Sequence, residues 1–114
     1  MNKDWVNNIY NSIKDFSNIE KQRELWLGLN ENYASSFDED INLLYYSFCF
    51  DEFIIELNKE SGNKKVADEL VEFKNMLDSY EKPNTEKEIL EDSAWLNIVN
   101  KAGHIVKIWD VSNL

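Results

Sequence analysis

Ser93-Ala94-Trp95-Leu96-Asn97-Ile98-Val99-Asn100-Lys101-Ala102-Gly103-His104-Ile105-Val106-Lys107-Ile108-Trp109 is the stretch on which the fold class turns. Trp95, Ile98, Val99, Ala102, Ile105, Val106 and Trp109 recur at spacings of three and four, the period of a helix with one apolar face. Gly103 lies inside this pattern and costs about 1 kcal/mol relative to Ala in a helix. The unbroken stripe outweighs that cost and predicts one helix. The alternative is a break at Gly103 followed by a strand over 105–109, which would make the chain α+β.

Working back from this stretch, each segment repeats the helical pattern. Thr85-Glu86-Lys87-Glu88 is a capping box, in which a hydroxyl and a carboxylate satisfy the free N–H groups of a helix start. Val66, Leu70, Phe73, Leu77 and Tyr80 form a narrow stripe that ends before Pro83, with Asp68, Glu69, Glu72 and Asp78 turned away. Ser61-Gly62-Asn63 stops the preceding helix. That helix begins at a second capping box, Ser36-Phe37-Asp38-Glu39, and runs to about Asn58. Ile41, Leu44, Tyr45, Phe48 and Ile55 form one stripe on it, and Leu43, Tyr46, Phe50, Phe53, Ile54 and Leu57 a second. Two stripes predict a central helix covered on both sides, with Asp51 able to restart it after a break near Cys49. Asn30 to Ser35 reads as a loop. A third box, Ser17-Asn18-Ile19-Glu20, opens a short helix to Trp26 that ends near Gly28, unless Leu25-Trp26-Leu27 is a strand. Trp5, Val6, Ile9, Tyr10, Ile13 and Phe16 share a face of the first helix. The expectation is an all-α, compact single-domain bundle of about five helices over residues 1–114, with a central apolar helix.

Composition agrees. A chain of 114 residues with 43% apolar residues can bury one core, and only 3 Gly and 1 Pro disfavour a many-turned β fold. There is no repeat and no linker. The single cysteine, Cys49, excludes an internal disulfide, and its apolar neighbours predict a buried, inert thiol. The first residues lack the apolar core of a signal peptide, and no stretch approaches the roughly 20 apolar residues of a membrane span. A cytoplasmic protein is expected.

The net charge is −10. Such a field repels nucleic acid and anionic membranes and attracts basic proteins. Its distribution is uneven. Between Arg23 and Lys59 there is no Lys or Arg, yet the interval holds eight carboxylates, Glu24, Glu31, Asp38, Glu39, Asp40, Asp51, Glu52 and Glu56. Eight aromatic residues accompany them. Like charges without local compensation cost stability, and a basic partner would remove that cost. Glu31, Asp38, Asp40, Asp51 and Glu56 are the candidate partner-binding acids, with Tyr33 and Tyr46 as aromatic contacts. The opposing expectation is that the aromatics form core and the acids are caps and solvated edges.

Signals for catalysis are sparse. His104 is the only histidine and lies off the main stripe, so a Cys49–His104 pair would need a coincidence of folding. Asp38-Glu39-Asp40 lacks the alternation and the glycine of a calcium loop, and Gly28, Gly62 and Gly103 stand too far apart for a phosphate-binding loop. No catalytic residue, metal ligand or cofactor is expected, and the chain reads as a binding protein rather than an enzyme.

Gln22-Arg23-Glu24-Leu25-Trp26-Leu27-Gly28, then Ser35-Ser36-Phe37-Asp38-Glu39 leading into a helix, then Leu90-Glu91-Asp92-Ser93-Ala94-Trp95, resemble the small immunity proteins encoded beside bacterial polymorphic toxins, including contact-dependent inhibition systems. The likeness covers roughly residues 20 to 110 and is one of size, charge and layout. It implies a cytoplasmic protein that binds a cognate toxin domain, basic and nucleic-acid-targeting, and blocks its active site. Immunity proteins of nuclease colicins carry a Tyr-Tyr pair in their binding surface. Tyr45-Tyr46 is similar but lacks the following proline, so the role is not carried over. The alternatives are a phage-type inhibitor or nucleic-acid mimic aimed at a host nuclease, and a helical adaptor subunit.

Overall fold

The computed structural model describes residues 1–60 and 62–110. Among these residues the chain is all-helical, with seven α-helices and one π-helical turn and no strand. They are α1 (Lys3–Phe16), α2 (Ile19–Trp26), α3 (Phe37–Asn42), the π turn Leu43–Ser47, α4 (Phe50–Asn58), α5 (Lys64–Ser79), α6 (Glu86–Glu91) and α7 (Ser93–Ile108).

Polar side chains set most of the starts. Asn2, Asn18, Ser36, Thr85 and Asp92 each accept a hydrogen bond from a backbone N–H in the first turn that follows. Two of the three capping boxes therefore start helices at the expected residue. At the third, Asn18 takes the cap and Ser17 instead closes α1, its hydroxyl donating to the Lys14 carbonyl. Gly28, at φ +70°, terminates α2, with the Leu29 N–H returning to the Glu24 carbonyl. That excludes the strand over Leu25–Leu27. Helix α7 runs through Gly103 to Ile108, which excludes the strand over 105–109. The segment after Thr85 is divided at Asp92, whose carboxylate caps α7.

The helix expected from Ser36 to Asn58 is interrupted where the sequence allowed a break near Cys49, and it restarts at Phe50, one residue before Asp51. The Phe48 N–H bonds the Leu43 carbonyl, one residue beyond α-helical spacing, and Cys49 then adopts left-handed φ of 52°. The interruption rotates the two halves so that Leu44 and Phe50 both reach the core. A straight helix with two apolar stripes would need cover on both sides. Here Leu43, Tyr46 and Ile55 face solvent instead. The break leaves the Phe48 carbonyl without a helical partner, and the Trp5 indole N–H fills that need at 2.6 Å. Cys49 is exposed at the joint, contrary to the expected buried thiol. The central position falls to α7, which packs against α1, α5 and α6.

Trp95 on α7 is fully buried and organises the core. Its ring meets Phe16, Trp26, Phe37 and Tyr80 at centroid separations of 6.1, 5.8, 5.3 and 5.5 Å. Its N–H donates to Gln22 Oε1 at 2.9 Å. Gln22 is itself buried and donates through Nε2 to the carbonyls of Asp15 and Phe16. One amide thus ties the end of α1 and the start of α2 to α7. The stop at Ser61-Gly62-Asn63 includes Ser61, which lies outside the described residues; Gly62 has φ +92°.

Candidate functional site

Three of the eight carboxylates of the base-free interval pair with lysines, two of them brought by the fold from distant segments. Asp38 accepts from Lys82 at 2.8 Å, Asp51 lies 3.7 Å from Lys74, and Glu56 pairs with Lys59 at 3.0 Å. These pairs are exposed on at least one side and contribute roughly 0–1 kcal/mol each. The expectation of eight locally uncompensated acids is corrected to that extent. The aromatics divide as well. Trp26, Phe37, Phe50 and Phe53 are core, whereas Tyr33 and Tyr46 are 72% and 79% exposed. Tyr45 is half-buried and donates its phenol to Asp78 at 2.7 Å.

Of the seven candidate residues, Tyr33 and Asp40 come together in a cleft of about 520 Å³. Asp15, Glu24, Leu25 and Ala34 complete most of its wall. Glu31 is exposed on the same loop. Asp38 instead faces Lys82, Asp51 faces α5, and Glu56 bonds within its own neighbourhood, so the seven do not make one site.

Asp40 is the notable acid of the cleft. Its carboxylate accepts from the Trp26 indole at 2.8 Å and from Ser35 Oγ at 3.4 Å. Burial pushes its pKa up, the two hydrogen bonds oppose that, and the nearby charges of Asp15 and Glu39 push it up further. Only neutral donors reach it among its described contacts. The other two acids are engaged at the rim: Asp15 with Lys21 at 2.9 Å and Glu24 with Asn30 Nδ2 at 2.7 Å.

A smaller hollow, of about 30 Å³, adjoins the cleft at the end of α1, shares Asp15 and Asp40 with it and is bordered by Ser12 and Leu43. A separate cavity of about 560 Å³ lies between Asp4, Asn8 and Trp5 on one side and Ser47, Cys49 and Glu52 on the other. Asp4, Asn8, Ser12 and Asp15 follow each other at spacings of four, four and three, which places them on one edge of α1. That edge borders the buried stripe and was the available sequence signal.

Elsewhere, Lys101 bonds both Glu69 and Glu72, and His104 Nε2 lies 3.9 Å from Glu69. The Lys101 bond holds the Glu69 carboxyl below its usual range. No group of three or more His, Cys, Asp or Glu side chains able to hold a metal ion occurs among the described residues, and no helix among them is long and apolar enough to cross a membrane. No family description, no curated protein and no solved structure matches the chain.

Proposed function

We propose that this protein is a cytoplasmic immunity or inhibitor protein that binds a basic protein partner, a toxin domain in the resemblance noted above, and acts without catalysis. The observation that carries the proposal is the exposure of Tyr33 and Tyr46, at 72% and 79%, on a region that supplies eight carboxylates and no Lys or Arg of its own. Exposed tyrosines offer broad contact area at small rotamer cost, and carboxylates beside them offer charge-assisted hydrogen bonds to Arg and Lys. A net charge of −10 supports fast, steered association with a basic surface and works against binding nucleic acid directly.

The test is to express the product of the adjacent gene and follow its association with this protein by stopped-flow fluorescence across a salt series. The association rate is expected to fall by about tenfold or more as salt screens the attraction. Absence of binding, or a rate independent of salt, overturns the proposal. A salt-independent rate supports the adaptor reading instead, which the exposed Leu29, Leu43 and Ile55 favour.

A further inference from the structure

The two oxygens of Asp40 are unequally used. Both of its side-chain hydrogen bonds, from the Trp26 indole at 2.8 Å and from Ser35 Oγ at 3.4 Å, end on Oδ2. Among the described residues Oδ1 accepts no hydrogen bond, and no cation pairs with the carboxylate. A half-buried carboxylate loses hydration, and two neutral donors on one oxygen replace it only in part. The other polar side chains of the cleft differ. The Gln22 amide is taken up by Trp95 and by the Asp15 and Phe16 carbonyls. Asp15 pairs with Lys21 and Glu24 accepts from Asn30, and both acids are exposed to water. Oδ1 of Asp40 is thus the acceptor for which the cleft supplies no donor. We propose that this cleft is an anchor pocket for a single arginine side chain of the partner, which rests on the binding function proposed above.

The wall indicates the kind of cation. Leu25, Tyr33 and Ala34 give the cleft of about 520 Å³ apolar and aromatic surface beside the carboxylate. A group with an apolar stem and a charged end matches that mixture. A guanidinium is more weakly hydrated than an ammonium, forks onto a carboxylate and stacks on an aromatic ring, so arginine fits better than lysine. The rim indicates that the arginine belongs to a protein. Leu29, whose N–H bonds the Glu24 carbonyl, and Tyr33 are both exposed there. A free small cation leaves that apolar surface in water, whereas a protein carrying the arginine covers it.

Trp26 reports on the pocket, because its indole N–H donates to Asp40. The probe is N-acetyl-argininamide, added to protein labelled with heavy nitrogen and followed by the indole N–H cross-peaks. The Trp26 peak is expected to move saturably, while that of Trp5, bonded to the Phe48 carbonyl, stays in place. N-acetyl-lysinamide is expected to bind at least about threefold more weakly, and the neutral citrulline analogue to leave the peak unmoved. Asp40→Asn is expected to weaken binding about tenfold or more. Tyr33→Ala, at an exposed position that spares the fold, is expected to weaken it about threefold. An unmoved Trp26 peak, equal movement of Trp5, or lysine binding as tightly as arginine overturns the pocket. If Asp40→Asn does not fold, Tyr33→Ala decides, and unchanged affinity in it counts against the pocket. The product of the adjacent gene, added in place of the probe, is expected to move the same peak. If that protein binds with the salt dependence given above but leaves Trp26 unmoved, the pocket is wrong and the acidic-surface reading stands. If it does not bind while N-acetyl-argininamide moves Trp26, the acidic-surface reading falls, and the claim that a partner's arginine fills the pocket falls with it.

Discussion

Replacing Gln22 by Leu isolates the most consequential polar contact in the core. The side chain is 4% exposed and makes three hydrogen bonds: it accepts from the Trp95 indole and donates to the Asp15 and Phe16 carbonyls. The Asp15 carbonyl keeps a second donor, the Asn18 N–H. The Trp95 N–H sits on a residue with no exposure and has no substitute. Leaving a buried donor and an acceptor unsatisfied costs about 1–3 kcal/mol each, and the added methyl groups of leucine return about 1 kcal/mol. The expected loss is about 3 kcal/mol, a large share of the roughly 5–15 kcal/mol that holds a domain together. With an unfolding entropy of about 0.24 kcal/mol/K for a chain of this length, Tm should fall by about 12 °C.

The assay is thermal unfolding by circular dichroism, with urea unfolding as the check on free energy. Gln22→Glu sharpens the test. Its carboxylate can accept from Trp95 but cannot donate to the two carbonyls unless protonated. Burial and those carbonyls raise its folded pKa, so the substitution should be tolerated best below the usual glutamate pKa. Stability should then be lost as pH rises through the folded value. A Gln22→Leu protein melting within about 4 °C of the wild type would refute the assignment of Gln22 as the tie between α1, α2 and α7.

Two other outcomes are expected. Cys49→Gly should stabilise the fold by about 0.5–1 kcal/mol, because φ of 52° costs an L-residue more than glycine loses in entropy; an unchanged or lower urea midpoint contradicts the strain at that joint. Lys101→Met should flatten the acid limb of the stability curve: the Lys101 bond depresses the Glu69 pKa, so its contribution is complete above the ordinary value of 4.5 and lost as pH falls through the depressed one. Urea unfolding between neutral and acid pH measures this, and a parallel offset at every pH rules the linkage out.

How much of this was legible in the sequence depended on range. Local signals carried well. Ser36 and Thr85 cap where their boxes lie, Gly28 ends α2, and the stripe through Gly103 makes a single helix. What failed was anything set by contacts distant in the chain. The break near Cys49 was legible as an option, but the Trp5 indole that bonds the Phe48 carbonyl there lies 43 positions away, and no pattern near residue 49 announces that donor. The pairing of Asp38 with Lys82 spans 44 positions, so a charge map drawn along the chain overstated the repulsion. Nothing around Gln22 signals its burial, which is set by Trp95, 73 positions away. Tyr33 and Asp40 were legible as candidates, but Asp15 joins them only when the end of α1 is laid beside α2 and α3.

The arrangement of the cleft at Asp40 bears on how binding and stability are related. Two of its carboxylates, Asp15 and Glu24, are exposed and can be neutralised with little effect on the core. Asp40 and Gln22 are different, because each faces the cleft while bonding a core tryptophan, Trp26 in one case and Trp95 in the other. The rings of those tryptophans are 5.8 Å apart. A cation seated beside Asp40 would favour its ionised form, which burial disfavours in the free protein, and would thereby strengthen the acceptor of the Trp26 bond. Occupation of the cleft and consolidation of the aromatic core then act in the same direction, through one carboxylate that belongs to both.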